Sequence, residues 1–73
     1  MTQNEQVLYH LEKVGSITAA EAMNRYGIGR LAARIADLRD KGHRIKSETV
    51  EIVTRWGRKG HYARYTLEPR KED

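Results

Sequence analysis

In the stretch Thr18-Ala-Ala-Glu-Ala-Met-Asn-Arg-Tyr-Gly27-Ile-Gly-Arg-Leu-Ala-Ala-Arg-Ile-Ala-Asp-Leu-Arg-Asp-Lys-Gly42, two helices meet at a glycine turn. Thr18 and Glu21 have the spacing of a capping box. The threonine oxygen accepts from the Glu21 N–H, and the carboxylate accepts from the Thr18 N–H. Gly27 can take the left-handed conformation that closes a helix, and Gly42 can do the same for the next one. The spacing predicts a short helix over 19–26, with Ala22 and Met23 turned inward, and a second over about 29–41. On that second helix Ile28, Leu31, Ile35 and Leu38 fall within one narrow arc that must face a core. The opposite arc holds Arg30, Ala33, Ala36, Asp37 and Asp40, with Arg34 on one flank. Two helices joined by so short a turn form a helix-turn-helix unit.

Upstream, Val7, Leu8, Leu11 and Val14 recur at i, i+1, i+4 and i+7, which predicts an amphipathic helix over 3–14 closed by Gly15. Ile17, just before the Thr18 cap, is placed to pack on the following helix as a hydrophobic staple. Downstream of Gly42 the period changes to two. Ile45, then residues 50–56, then 61–67 are rich in β-branched and aromatic side chains. Gly57-Arg58-Lys59-Gly60 separates the last two runs, which predicts a β-hairpin with a basic tip. Val50 and Ile52 share one face of its first strand; Ala63, Tyr65 and Leu67 share one face of its second. Trp56 and Tyr62 flank the tip, where a cross-strand aromatic pair would pin the hairpin. Stacking on the bases of a single strand is the other use of such rings. Tyr9, Tyr26 and Tyr65 read as residues at the core edge. Helix, helix, turn, helix, hairpin is the order of an α+β winged helix-turn-helix domain. It is expected to occupy residues 1–67, with 68–73 as a charged, frayed tail.

The 73 residues allow one small domain, which buries roughly 60% of its unfolded-state surface and has no room for a deep substrate cleft. The absence of cysteine excludes a disulfide staple and a thiolate metal site, and fits a reducing compartment. No apolar run approaches the roughly 20 residues of a membrane span, and there is no signal-peptide core. A cytoplasmic protein with no membrane partner is expected. The net charge of +4 is unevenly placed. Residues 1–40 carry five basic and five acidic side chains, whereas residues 41–67 carry seven basic and two acidic, a local excess of five. So concentrated a basic segment attracts polyanions.

Catalysis has little support. His10, His43 and His61 lack metal-ligand spacing, and Ser16 and Ser47 sit in no nucleophile motif. Gly27-Ile28-Gly29 lacks the third glycine and the preceding strand of a dinucleotide fingerprint. No enzymatic activity, metal or cofactor is expected.

The segments Thr18-Ala19-Ala20-Glu21-Ala22, Gly27-Ile28 and Arg30-Leu31-Ala32-Ala33-Arg34-Ile35-Ala36-Asp37-Leu38-Arg39, with Gly42 and Ile45, resemble a particular group. They are similar to small winged helix-turn-helix proteins of bacteriophages and prophages. The resemblance covers about 7–67 and is strongest from 18 to 45. It implies a DNA-binding architecture more firmly than a biological role. One departure matters. Common bacterial winged-helix regulators place a serine- and threonine-rich segment between the turn glycine and the recognition-helix stripe. Here Ile28-Gly29 leads almost directly to Arg30-Leu31, so hydroxyl contacts to phosphate are not carried over and arginines must replace them.

The expected partner is double-stranded DNA, with the helix over about 29–41 in the major groove. The candidate contacts are Thr18, Gly29, Arg30, Ala33, Arg34, Arg55, Arg58, Lys59 and His61. Arg30 and Arg34, one turn apart, suit base or phosphate contact; ion pairing of Arg34 with Asp37 is the competing use. Ala33 and Ala36 keep the outer face low. Asp37 and Asp40 read as ion-pair partners that limit groove contact to the first two turns. Arg55, Arg58, Lys59 and His61 surround the hairpin tip, placed for flanking phosphates or a narrow minor groove. The N–H groups near Thr18 suit a further phosphate. A phage or prophage transcriptional regulator is the leading function. The rivals are an architectural or excision-type factor that bends DNA, and a protein-interaction module that inhibits a host enzyme. A homodimer or tandem assembly would supply the specificity that one short half-site lacks.

Overall fold

A computed structural model describes residues 1–68; of the expected charged tail, only Glu68 falls within them. The first helix, α1 (Gln3–Val14), opens on a complete capping box between Thr2 and Glu5 and closes at Gly15. Residues Ser16–Thr18 form a short strand, β1. Thr18 then caps α2 (Ala19–Tyr26), with the Glu21 N–H donating to Thr18 Oγ1 at 3.3 Å and the Thr18 N–H to Glu21 Oε1 at 3.1 Å. Gly27 ends α2 at φ 67°, a left-handed conformation that glycine adopts without steric cost, and its N–H reaches Met23 O at 2.9 Å. The third helix, α3, runs Leu31–Asp40, slightly shorter than the periodicity suggested. Its alanines and leucines are good helix formers, but Arg30 at its N-cap makes no side-chain capping bond.

Two antiparallel strands, β2 (Ile45–Val53) and β3 (Lys59–Leu67), complete the fold of the described residues. The sheet order is β1-β3-β2, with Ile17 opposite Tyr65 and Ile45 opposite Leu67. Ile17 is therefore a fully buried strand residue rather than only a helix staple. A three-residue strand is too short to show a period of two, so the sequence pattern hides it.

Val7, Leu11, Ile17, Ala22, Ile28, Leu31, Ile35, Leu38 and Ile45 make the core, with Leu8, Tyr26, Tyr65 and Leu67 packed on its edge. The α3 stripe thus faces inward as expected. Three apolar residues do not follow the pattern. Val14 is exposed because it ends α1 where the chain turns away at Gly15. Met23 is half exposed, on the flank of α2, and its Cε lies 3.4 Å from where a Cβ on Gly29 would stand. It covers the turn instead of filling the core. Tyr9 is also about half exposed, with the Lys13 ammonium 5.8 Å from its ring centroid.

His10 occupies an inward position of α1 beside Val7 and Leu11, and only 2% of its surface is exposed. Its Nδ1 lies 2.9 Å from the Tyr26 hydroxyl, and its Nε2 lies 3.6 Å from Glu21 Oε2. Glu21 therefore serves two purposes. One carboxylate oxygen closes the α2 cap, and the other faces the buried ring of α1. These contacts tie α1 to both ends of α2.

Candidate nucleic-acid interface

Each residue of α3 has its place set by the core stripe. Ala32, Ala36 and Asp40 are exposed, Ala33 is half buried, and Arg30 stands free at the head of the helix. Ten residues make α3 about 15 Å long, room for three turns. Arg34 points along the flank toward α1. Its guanidinium lies 3.3 Å from Asp37 Oδ2, which also accepts from Asn4 Nδ2 at 3.4 Å. The ion pair expected of Asp37 is present, and it ties down one of the two arginines expected to reach DNA. Among the described residues no ion pair holds Arg30 or Asp40.

Arg39, which the sequence pattern did not single out, turns to the opposite flank. Its Nε and Nη2 both donate to Ile45 O, at 3.0 and 2.7 Å, locking the end of α3 to the start of β2. The only hint in the sequence is the position of Arg39 beside Leu38 near the helix end. Its partner is a backbone carbonyl six residues on, which no side-chain pattern reports.

The hairpin differs from expectation in its turn. Val53 pairs with Lys59, so residues 54–58 form the loop and Trp56 sits in it, 87% exposed. Tyr62 stands opposite Val50 instead, and the expected Trp56–Tyr62 pair does not form. The two glycines do different work. Gly57 takes φ 75° in the loop, while Gly60 lies within β3 opposite Ile52. A Cβ on Gly60 would come within 3.3 Å of Ile52 Cγ1, so the glycine leaves space for that side chain. Three hydrogen bonds close the loop: Thr54 N–H to Arg58 O at 2.8 Å, Gly57 N–H to Thr54 O at 3.0 Å, and Arg58 N–H to Thr54 Oγ1 at 3.1 Å.

The register puts Val50 and Ile52 on the outer face of the sheet, and Ala63, Tyr65 and Leu67 on the inner face with Ile45. On the outer face Arg64 donates to Glu48 Oε1 through Nε at 2.9 Å and Nη2 at 2.7 Å, and this bond, with the charge of the carboxylate, raises its pKa above the ordinary value. On the inner face His61 stands opposite Glu51. Arg55, Arg58 and Lys59 are exposed at the tip, and among the described residues no ion pair holds them.

The nine candidate residues thus fall into groups. Arg30 with Gly29 and Ala33 marks the start of α3; Arg55, Arg58, Lys59 and His61 mark the far end of the hairpin. Arg34 and Thr18 are both engaged within the fold. The Thr18 N–H is occupied by Glu21, so at that helix end the N–H groups of Ala19 and Ala20 remain for an anion, beside a resident carboxylate. No metal-holding group of three or more His, Asp or Glu occurs among the described residues, nor a helix long and apolar enough to cross a membrane.

A family model for the winged helix-turn-helix domain matches residues 2–70, nearly the whole chain. No curated protein and no solved structure matches it.

Proposed function

The chain belongs to the winged helix-turn-helix domain family, which implies DNA binding, and we propose from that premise that it is a double-stranded DNA-binding transcriptional regulator gripping chiefly through its wing. The observation that carries this reading is the division of charge. Arg34, Arg39 and Arg64 are bound to groups of the fold. Arg30, Arg55, Arg58 and Lys59 are exposed and unpaired among the described residues, as are Arg25, Lys41, Arg44 and Lys46. Of these, Arg55, Arg58 and Lys59 are gathered at one place, the wing tip. In this reading α3 lies in the major groove with its low alanine face toward the bases, and Arg30 reaches a base edge or phosphate. The uncapped N-terminus of α3 favours an anion beside Arg30. The wing supplies most of the electrostatic attraction, along the backbone or in the minor groove. A three-turn helix reads only a short half-site, so a dimer or a tandem array supplies the remaining specificity. The resemblance to phage and prophage proteins supports a regulator of phage or prophage genes.

A binding selection from random duplex DNA tests the assignment. Arg30→Ala is expected to relax base preference, and Arg58→Ala to weaken binding uniformly across sequences. Selected pools with no enriched sequence, for the native chain as for Arg30→Ala, would remove sequence-specific regulation from consideration.

The Arg34–Asp37 pair gives a second prediction. Asp37→Asn removes a carboxylate from the groove-facing helix and frees a guanidinium one turn from the start of α3. One added phosphate contact steepens the salt dependence by about 0.9 and tightens binding about 8-fold at 0.1 M salt. Fluorescence anisotropy with a labelled duplex reads both. Unchanged affinity would place the outer face of α3 away from the phosphates.

A further inference from the structure

We propose that Trp56 is a wedge: on duplex DNA the wing tip enters the minor groove, and the indole stacks into a base step and bends the helix axis. This rests on the duplex-binding reading above and adds a distinct contact to it. Trp56 is the largest side chain in the chain, yet it is 87% exposed, and the neighbouring Val53 is 73% exposed. Neither packs on the body. The tip is nonetheless held in shape, since the Thr54, Gly57 and Arg58 hydrogen bonds close the loop and Gly57 supplies its left-handed corner at φ 75°. The indole is therefore presented on a frame.

The chemistry around it selects the occupant. From Ile52 through Leu67 there is no carboxylate, while Arg55, Arg58 and Lys59 surround the indole in sequence. The nearest acid, Glu51, stands across from His61, back along the hairpin from the Val53–Lys59 pair. A flat apolar ring flanked by cations, with no anion at the tip, matches a ligand whose apolar faces lie between rows of negative charge. Stacked bases between two phosphate backbones have that form. Minor-groove proteins use apolar side chains in this way, unstacking a step and kinking the duplex by roughly 20–90°. The hairpin also has the reach, because strands of nine residues extend about 30 Å, and residues 51–59 are exposed.

Trp56 is the only tryptophan, so intrinsic emission reports this side chain alone. With a 20-base-pair duplex at saturation by anisotropy, its emission should be quenched and its accessibility to acrylamide should fall. Energy transfer between dyes on the duplex ends should show a bend. Trp56→Ala should fold normally, bind about 5- to 150-fold more weakly, as expected for one lost stacking contact, and lose the bend. Arg58→Ala should weaken binding while each complex formed stays bent. If anisotropy shows a saturated complex but Trp56 emission and accessibility do not change, the wedge is overturned and duplex binding stands. Quenching by single-stranded but not duplex DNA, or a blue shift only with vesicles of anionic phospholipid, also overturns it. Absence of any complex overturns both readings.

Discussion

Replacing Arg55, Arg58 and Lys59 together by alanine is expected to weaken duplex DNA binding about 500-fold at 0.1 M salt. The estimate follows from counterion release: each neutralised phosphate adds about 0.9 to the salt slope and so about 8-fold to affinity at 0.1 M relative to 1 M. Three such contacts multiply. If the native chain neutralises about five phosphates, its slope of about −4.5 should fall to about −1.8 in the triple variant. Folding should be unaffected. All three side chains are exposed, and the hydrogen bonds of the loop use the backbone of Arg58 and the side chain of Thr54. Surface substitutions of this kind usually change stability by less than about 0.5 kcal/mol. A triple variant that unfolds at the native urea midpoint but keeps the native salt slope would move the phosphate contacts off the wing.

The largest effect on stability is expected from Ile35→Ala. Ile35 is 1% exposed at the middle of the α3 stripe, in the cluster that joins α3 to α1 and the sheet. Removing its branched side chain loses transfer free energy and leaves a cavity, a combined cost of about 3 kcal/mol. A domain of this size has only roughly 4–11 kcal/mol of total stability. The melting temperature should fall by about 12–24 °C. Val14→Ala is the control: Val14 is apolar and helical but 58% exposed, and its removal should shift the midpoint by only a few degrees. Equal losses at both positions would mean that the core does not centre on α3.

Legibility of the fold in the sequence depended on range. The Thr18–Glu21 capping box, the left-handed Gly27 and the α3 stripe are local patterns, and each is present in the structure. What the sequence hid depends on partners distant along the chain. Ser16–Thr18 is a strand only because β3 returns beside it. Met23 has helical spacing suited to the core but is drawn to the turn at Gly29. Trp56 reads as a strand residue until the Val53–Lys59 register leaves it in the loop. The hairpin glycines looked alike, and only cross-strand packing of Ile52 over Gly60 separates their roles. The candidate interface was legible as charge. Arg30 and the wing cations could be found by counting, whereas the engagement of Arg34 by Asp37 and Asn4 requires the packing of α1 on α3.

Duplex binding by phosphate neutralisation can be decided by titrating the native chain against a labelled 20-base-pair duplex of arbitrary sequence from 50 to 300 mM salt. A measurable complex at low salt, with log affinity falling linearly against log salt at a slope near −4.5, is the predicted result. No complex at 50 mM salt, or an affinity that does not change with salt, would contradict it.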